Sequence, residues 1–398
     1  METVHTPIIA DSRSMEALAD NSVDLVVTSP PYPMIEMWDS IFSSLDPKVG
    51  QHLKKGDGPR AFEAMHKILD HVWAECFRVL KPGRFACINI GDATRTIQEQ
   101  FRLYANHARI LSFAQSLGFS CLPCILWRKQ TNAPNKFMGS GMLPAGAYVT
   151  LEHEYILILR KGGKRVFSKP ADKLNRRRSA LFWEERNTWF SDIWFDIKGT
   201  TQALGDTASR KRSAAFPFEL PFRLIQMYSV KEDRVLDPFL GTGTTMAAAM
   251  VSARNSVGYE MDPGLGPKIS ATTDTLIPFA DEQIRQRLVR HITFVKERLA
   301  AKGPLKHENV HYGFPVMTSQ EKELLLTLPR TITQAKDHAA YRVCYDDAPI
   351  EAFCQAWSKI FKTREPAEPK APVKQPPPKT RKVRNPNYVS GGLFPDES

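Results

Sequence analysis

The stretch of sequence that decides the fold is Asp24-Leu25-Val26-Val27-Thr28-Ser29-Pro30-Pro31-Tyr32. It begins as an apolar, β-branched run, a pattern typical of a buried strand. Two prolines end this strand, because a proline ring has no N–H for the ladder and fixes its own φ. The sequence therefore predicts a stiff loop at the carboxyl end of a strand. In open α/β sheets this is the edge at which ligands bind.

The loop carries groups that suit chemistry on an amino group attached to an aromatic ring. The Pro30 carbonyl precedes a residue without N–H and can point at a substrate NH₂, and Ser29 Oγ offers a second acceptor. Tyr32 offers a flat face on which a planar base can stack. Two acceptors on one NH₂ raise the electron density on its nitrogen, as a methyl acceptor requires. A Pro-Pro turn that closes a strand over a packed tyrosine is the structural alternative.

A second unit of strand, glycine loop and helix lies far downstream. Residues 234–237 (RVLD) are predicted to form a strand, followed by the loop 238–245 (PFLGTGTT) and an alanine-rich helix. The next predicted strand, 255–260 (NSVGYE), ends in Glu260. Such a loop lets a ligand approach the backbone and points helix N–H groups at it, while the acid suits ribose hydroxyls. The missing third glycine and the missing Gly-Lys-Ser/Thr disfavour NAD and P-loop nucleotide sites.

The rest of the chain alternates between strand and helix patterns. We expect strands at 7–11, 84–91, 123–129 and 153–159, and helices at 14–20, 61–80, 102–117, 216–229 and 280–301. This alternation predicts an α/β fold with a mostly parallel, twisted sheet and helices on both faces. The strands at 123–129 and 153–159 have no helix between them, which predicts an antiparallel edge pair. An aromatic and methionine cluster between Met34 and Phe42 favours core packing over a pocket wall.

The charge of the chain favours a polyanionic partner. Lys and Arg number 54 against 43 Asp and Glu, a net charge of +11 over 398 residues. Basic residues interleaved with aromatics between 161 and 213 suit a grip on a nucleic-acid backbone, although a solvated insertion has a similar composition. The candidates for DNA contact there are Lys164, Arg165, Lys169, Arg176, Arg177 and Arg178. The Pro/Lys-rich segment 364–398 is predicted to be disordered.

Other classes of protein are disfavoured. The N-terminus lacks the basic and apolar regions of a secretory signal, and no run is long enough to cross a bilayer. Six cysteines in 398 residues do not make a disulfide scaffold, and the lone pair Cys121 and Cys124 is interpreted as structural, with no metal site. We therefore expect a cytoplasmic protein that makes no membrane contact.

Two features belong together, TSPPY at 28–32 and DPFLGTGTT at 237–245 followed by Glu260. Together they resemble the hallmarks of the S-adenosylmethionine-dependent amino-methyltransferases of DNA, over roughly residues 8–301 of this chain. The order, with the catalytic loop first, resembles the circularly permuted β group of that family. Further matches are IIADS at 8–12, LKPGRFACINIGD at 80–92, WRKQTNAPNKFMGS at 127–140, HEYILILRK at 153–161 and AAFPFELPFRLI at 214–225.

The resemblance implies a Rossmann-like class I methyltransferase fold, S-adenosyl-L-methionine as cofactor and duplex DNA as partner. The residues implied to bind the cofactor are Asp11, Ser12, Phe216, Pro217, Asp237, Pro238, Phe239, Gly241, Gly243, Thr244, Thr245 and Glu260. The residues implied to hold a flipped target base are Ser29, Pro30, Pro31 and Tyr32. A cognate restriction endonuclease and a second copy of the chain are candidate partners.

Within the family, a serine before Pro-Pro-Tyr favours cytosine N4 as the methylated atom, with adenine N6 as the alternative. A non-catalytic DNA-binding protein on the same fold, or an RNA or protein amide methyltransferase, are less favoured alternatives. The implied division of the chain is a catalytic half at 1–160, a basic target-recognition insertion at 161–213 and a cofactor-binding half at 214–302. An extension at 303–363 has no assigned role, and the tail occupies 364–398.

Overall fold

The computed structural model describes residues 1–129, 139–198, 216–335 and 340–362. Met1–Trp357 form one compact unit, and Ser358–Ser398 are a second unit, described only as far as residue 362. The loop 130–138, the part of the basic insertion from 199 to 213 and the tail 364–398 lie outside the described residues. The predicted division of the chain into functional segments stays a prediction.

The strands and helices are numbered in chain order. The strands are β1 (Glu2–Ile9), β2 (Val23–Thr28), β3 (Leu80–Ile90), β4 (Ala93–Ile97), β5 (Gln100–Tyr104), β6 (Phe119–Arg128), β7 (His153–Lys161), β8 (Ile193–Trp194), β9 (Arg234–Asp237), β10 (Asn255–Glu260), β11 (His307–Glu308), β12 (Pro315–Val316), β13 (Leu328–Gln334) and β14 (Tyr341–Asp346). The helices are α1 (Asp39–Leu45), α2 (Pro47–Lys54), α3 (Gly58–Val79), α4 (Asn106–Ser116), α5 (Pro170–Arg178), α6 (Trp183–Trp189), α7 (Glu219–Tyr228), α8 (Thr244–Val251), α9 (Gly266–Asp274), α10 (Leu276–Lys302) and α11 (Trp357–Lys362).

One ten-stranded sheet, in the order β13-β14-β1-β10-β9-β2-β3-β7-β6-β8, runs through the first unit. Its central strands β1, β10, β9, β2 and β3 are parallel neighbours, which confirms the predicted parallel sheet. Strand β7 pairs antiparallel with both β3 and β6, as predicted for the two late strands, and β8 adds two residues beyond β6.

The two ends of the central strands define two edges of the sheet. We call the edge at Thr28, Asp237 and Glu260 the carboxyl edge, because β2, β9 and β10 end there. The amino edge is the opposite one, where β2 and β3 begin at Val23 and Leu80. Parallel strands bring all loops that follow them to a single edge.

Strand β2 lies at the centre of the core, with all six residues buried. Successive side chains of a strand point to opposite faces, so burial of both Val26 and its neighbour Val27 means that both faces are covered. On one face Val26 belongs to the same apolar cluster as Leu69 and Val72 of α3. The prediction of helices on both faces is confirmed.

Helix α3 follows from its sequence. The Asp57 carboxylate accepts a hydrogen bond from the Arg60 N–H at 3.1 Å and caps the first turn, which also contains a proline. The apolar stripe predicted for 61–80 is buried, and its members are Met65, Ile68, Leu69, Val72, Cys76 and Val79.

The predicted helix at 14–20 is wrong, because these residues form turns. Side chains of helix α3 supply hydrogen-bond partners for the backbone groups of this segment, in place of the bonds that a helix would make within itself. The Glu75 carboxylate accepts from the Met15 N–H at 2.6 Å, and the Arg78 guanidinium donates to the carbonyls of Met15 and Leu18 at 3.0 and 2.9 Å. With its backbone groups satisfied from outside, the segment has no need of helical hydrogen bonds.

The predicted helix at 102–117 starts too early. Residues 93–104 form the hairpin of β4 and β5, and α4 begins only at Asn106. Gln98 and Glu99 make the turn with φ of 49° and 63°, the left-handed conformation that a two-residue hairpin favours. Neither residue is a typical turn former at φ above zero, so the sequence carries no signal of this hairpin.

The C-terminal extension continues the same sheet. Strand β14 pairs antiparallel with β1, with Val343 opposite Thr3, and β13 pairs with β14. Arg287 of α10 donates to the Glu185 carboxylate of α6 at 2.7 Å, and both side chains are buried. Among the described residues, no helix is long and apolar enough to cross a membrane.

Candidate active site

The two sequence motifs meet at the carboxyl edge. Strands β2 and β9 are neighbours, so the loop after Thr28 and the glycine loop after Asp237 lie side by side. The Thr28 hydroxyl donates a hydrogen bond to Asp237 Oδ1 at 2.6 Å. Residues that are 209 positions apart in the chain are thereby in direct contact.

A cleft of about 570 Å³ opens between these loops, within the usual range for a site that binds a small molecule. The residues of the first motif group that line it are Asp11, Ser12, Ser29, Pro30 and Pro31. Those of the second group are Phe216, Asp237, Pro238, Phe239, Gly241, Thr244, Thr245 and Glu260. Among the described residues, the predicted site members Tyr32, Pro217 and Gly243 do not line it.

The glycine loop needs its glycines for their backbone conformation. Gly241 and Gly243 have φ of +57° and +88°, where a side chain is strained. Gly243 immediately precedes α8, whose first residues Thr244 and Thr245 line the cleft. The free N–H groups of this helix start therefore face the space in which a ligand binds.

Asp237 is a buried carboxylate held by neutral donors. The Thr28 and Thr245 hydroxyls each donate at 2.6 Å, and the Phe239 N–H donates at 3.0 Å. Burial raises the pKa of Asp237 to about 6; the hydrogen bonds oppose this rise and the charge of Glu260 adds to it. Such a carboxylate is a ready partner for a ligand cation.

Glu260 and Asp11 complete the acidic side of the cleft. Glu260 accepts from the N–H groups of Gly241 and Asp262 at 2.8 and 2.9 Å, and burial raises its pKa. For Asp11, burial opposes ionisation but the hydrogen bonds and charge of Arg13 outweigh it and lower the pKa. Each Glu260 oxygen keeps a second lone-pair direction for a ligand hydroxyl.

Hydrogen bonds from the Asn106 side chain hold the loop that carries Ser29. The Asn106 amide donates to the carbonyls of Pro33 and Gly91 at 3.1 and 2.9 Å, which ties the loop to the end of β3. Gly91 also gives the Tyr32 ring its room, since a Cβ there would lie 2.9 Å from Tyr32 Cε2. The Tyr32 hydroxyl lies 3.1 Å from Ser29 Oγ. Ser29, which lines the cleft, is thereby linked through Tyr32 to the polar side chains behind the cleft wall.

The polar side chains that hold Tyr32 and the loop carry no signal of their role in the sequence. Asn89 and Glu154 bind the Tyr32 hydroxyl and Asn106 binds the Pro33 carbonyl, and no role is predicted for any of them, although the INIGD and HEY stretches belong to the resemblance. The cluster between Met34 and Phe42, for which the sequence favours core packing, serves both purposes. Met34 and Phe42 are buried in the core, and Phe42 also lines the cleft together with Met37 and Trp38.

The predicted DNA-contact residues lie at the amino edge. Arg165 donates to the Asp233 carboxylate at 3.0 Å just before β9, and its backbone packs against Gly83 at the start of β3. At about 3.3 Å per residue, Gly83 lies roughly 20 Å along β3 from the level of Ser29. Lys164, Lys169 and the arginines 176–178 are exposed in the same segment, and their contact with DNA stays a prediction.

The cysteines of the described part of the chain lie away from the cleft. Of the cysteines, Cys76 and Cys87 are buried in the core and none lines the cleft, so attack by a thiolate on a pyrimidine carbon has no nucleophile. No group of three or more His, Cys, Asp and Glu side chains in the described ranges is placed to hold a metal ion.

The donor set suits a ligand with three different parts. Asp237 and the start of α8 fit the ammonium and carboxylate of an amino acid, Glu260 fits ribose hydroxyls, and Phe216 and Phe239 offer apolar walls for an adenine ring. Residues 23–266 match the family model described as DNA methylase. The chain belongs to the S-adenosylmethionine-dependent DNA amino-methyltransferases.

Individual relatives agree with this membership. The chain is 49% identical over 339 residues to the Type II methyltransferase M.MthZI of Methanothermobacter thermautotrophicus, covering 85% of this chain and 94% of that protein. It is 50% identical over 278 residues to the Type II methyltransferase M.MjaI of Methanocaldococcus jannaschii, covering 67% and 90%. The resemblance predicted from TSPPY and DPFLGTGTT is confirmed.

A solved structure supports the fold. The putative DNA modification methylase TTHA0409 of Thermus thermophilus, complexed with S-adenosyl-L-methionine, aligns with a TM-score of 0.54 and 31% identity over 69% of this chain and 95% of its own. The class I methyltransferase fold is thereby confirmed, and S-adenosylmethionine is the cofactor of the family. That the motif order arose by circular permutation stays a prediction.

Proposed function

We propose that this DNA amino-methyltransferase methylates the exocyclic amino group of a base flipped out of duplex DNA, with cytosine N4 as the target atom. The observation that carries the proposal is that Ser29 and Pro30 line the same cleft as Asp237 and Glu260. Acceptors for a base NH₂ and groups for a cofactor therefore share one cleft, as a direct transfer requires.

Base flipping follows from where the target atom lies. An amino group inside a base pair is out of reach of a cleft wall, so the nucleotide is extruded into the site, as in other enzymes that modify a base of duplex DNA. We propose that the extruded base packs against Pro30 and Pro31, which line the cleft, and stacks on the half-buried ring of Tyr32 next to them. Base–aromatic stacking is worth about 1–3 kcal/mol per base.

The chain's own residues then prepare the nitrogen. Ser29 Oγ and the Pro30 carbonyl accept hydrogen bonds from the NH₂ and raise the electron density on its nitrogen. S-adenosylmethionine, when bound, supplies an electrophilic methyl group. The nitrogen would gain this methyl group as the bond between the methyl carbon and the cofactor sulfur breaks, the neutral thioether would leave, and one amino proton would pass to solvent. Catalysis comes mainly from positioning, without a covalent enzyme intermediate.

The choice of base rests on Ser29. In the family that this chain resembles, serine at this position favours cytosine N4, and adenine N6 is the alternative. The Type II names of M.MthZI and M.MjaI also make a cognate restriction endonuclease a candidate partner, together with a second copy of the chain.

Product analysis tests the proposal. The purified protein is incubated with mixed-sequence duplex DNA and methyl-labelled S-adenosylmethionine, and the nucleosides are identified by mass after digestion. We expect N4-methylcytosine. N6-methyladenine would retain the mechanism but overturn the choice of base, and the absence of any labelled nucleoside, with cofactor binding intact, would overturn the proposed activity on DNA.

A further inference from the structure

We propose that Glu154 is a positioning residue for methyl transfer, which acts through Tyr32 to make the Ser29 hydroxyl an acceptor toward the target amino group. The inference rests on the proposed function. It concerns a side chain behind the cleft wall, outside both sequence motifs.

Tyr32 is the centre of a small hydrogen-bond network. Its hydroxyl lies 2.8 Å from Glu154 Oε2, 2.8 Å from Asn89 Nδ2 and 3.1 Å from Ser29 Oγ. Asn89 Nδ2 also reaches Glu154 Oε2 at 2.7 Å, and Lys129 Nζ reaches the other oxygen, Oε1, at 2.9 Å. Glu154 is 9% exposed and Asn89 is 1% exposed, so both act from within the protein.

Counting donors and acceptors fixes the direction of every hydrogen in this network. An ionised carboxylate only accepts, and the amide nitrogen of Asn89 only donates. The phenol has one hydrogen, and Glu154 takes it. Burial, followed by the charge of Glu154, raises the pKa of Tyr32, so the phenol keeps that hydrogen at neutral pH. Ser29 therefore donates its own hydrogen to the phenol oxygen.

This direction determines what Ser29 presents to the cleft. With its hydrogen turned toward Tyr32, Ser29 Oγ faces the cleft with lone pairs only, which is the state that accepts from a base NH₂. Without an acceptor at position 154, the phenol can donate to Ser29 instead. The serine hydrogen is then free to point at the NH₂, and two hydrogen-bond donors that face each other form no hydrogen bond.

A set of variants at position 154 tests the proposal. We expect Glu154→Leu to lower kcat by about tenfold to a hundredfold, the loss of a charge-assisted hydrogen bond, with the Kd for S-adenosylmethionine within about twofold of wild type. Glu154→Gln restores most of the activity, because its amide oxygen can accept from Tyr32 while Lys129, whose side chain is 48% exposed, swings away.

The matched control is Glu152→Leu on the same segment. Glu152 pairs with Arg128 at 2.9 Å much as Glu154 pairs with Lys129, but its side chain is 45% exposed and it has no path to Ser29. We expect its kcat to equal that of wild type.

A double-mutant cycle separates positioning from a purely structural role. In a Tyr32→Phe background there is no hydroxyl to connect the two residues, so Glu154→Leu should cause no further loss of kcat. Equal losses in both backgrounds, or a Glu154→Leu variant within twofold of wild type, would overturn the proposal. If Glu154→Leu does not fold, Tyr32→Phe alone must still lower kcat at unchanged cofactor affinity. An inactive wild-type protein would instead overturn the proposed function.

Discussion

Two buried carboxylates at opposite edges of the central sheet, Asp24 and Asp237, have opposite surroundings. At the amino edge, Asp24 accepts from Lys81 at 2.7 Å and from Arg84 at 3.0 Å. At the carboxyl edge, Asp237 and Glu260 accept from hydroxyl and backbone N–H groups instead. Burial alone raises the pKa of any carboxyl, but the cations beside Asp24 lower its pKa, whereas that of Asp237 rises to about 6. A compensated charge stabilises the fold, and an uncompensated one is available to a ligand.

The positive charges of the chain show the same contrast. The segment with the densest cluster of arginines lies at the amino edge, and there Arg165 is already engaged by Asp233. Whether a basic segment reaches DNA depends on its place relative to the cleft, which charge density along the sequence does not give. Position relative to the cleft decides which cations can reach the phosphates of a bound duplex.

The largest effect that we expect is from a serine at the carboxyl end of β2. Ser29→Ala removes one acceptor for the amino group, so turnover should fall on the order of a hundredfold to a thousandfold, while cofactor affinity stays near wild type. The matched control is Ser22→Ala, at the other end of the same strand, where Ser22 Oγ only donates to the Ala19 carbonyl. Full turnover by Ser29→Ala in a methyl-transfer assay would mean that the Ser29 hydroxyl has no part in the chemistry.

Substitution of Asp24 at the amino edge should lower the stability of the protein without changing its turnover. The change Asp24→Asn removes the carboxylate that pairs with Arg84, whose side chain is only 13% exposed. Because the buried guanidinium then has no counter-charge, the free energy of unfolding should fall by about 2–3 kcal/mol. Turnover per folded molecule should not change. Urea titration measures the first quantity and initial rates the second. Asp20→Asn, which removes an exposed partner of Arg78, should cost less than about 1 kcal/mol.

The pKa of Asp237 predicts how cofactor binding depends on pH. The ammonium of the cofactor favours the ionised carboxylate, so affinity is constant between about pH 6, the pKa of Asp237, and about pH 7, above which the α-amino group of the cofactor itself loses its proton. Below about pH 6 the carboxyl must lose a proton before it binds, and affinity should fall about tenfold per pH unit. Calorimetry between about pH 5 and about pH 8 measures this dependence. Asp237→Asn should bind weakly with a flat profile; a wild-type profile that is flat would refute the role of Asp237.

The smallest effect should come from the arginines of α5. Replacing Arg176, Arg177 and Arg178 by Glu should weaken DNA binding less than the single change Arg128→Glu, because Arg128 lies at the carboxyl edge opposite His153. The measurement is the slope of log K against log salt, which becomes shallower by about 0.9 for each phosphate that the protein no longer neutralises. If the slope of log K against log salt becomes shallower by about 3 in the triple variant, the duplex lies against the amino edge instead.

Much of the core could be predicted from the sequence, because its signals are local. The run 24–28 before two prolines, the stripe of α3 and the strands RVLD and NSVGYE appear in the structure close to where their patterns placed them. In each of these elements, side-chain period and chain breakers agree with the tertiary packing. The segments that failed, 14–20 and 102–105, are those whose backbone partners or turn residues carry no local signal.

The sequence by itself determined the two motifs, the order in which they occur and the chemistry that each can perform. Only the tertiary structure brought Thr28 against Asp237 and placed Glu154 behind Ser29. It also put the basic helix α5 at the edge away from the cleft, where Asn175 donates to the Lys231 carbonyl just before β9. The physical reason is that such contacts join residues far apart in the chain, and their direction depends on which strands become neighbours. Strand neighbours are selected by burial over the whole sheet, which no single stretch of sequence encodes.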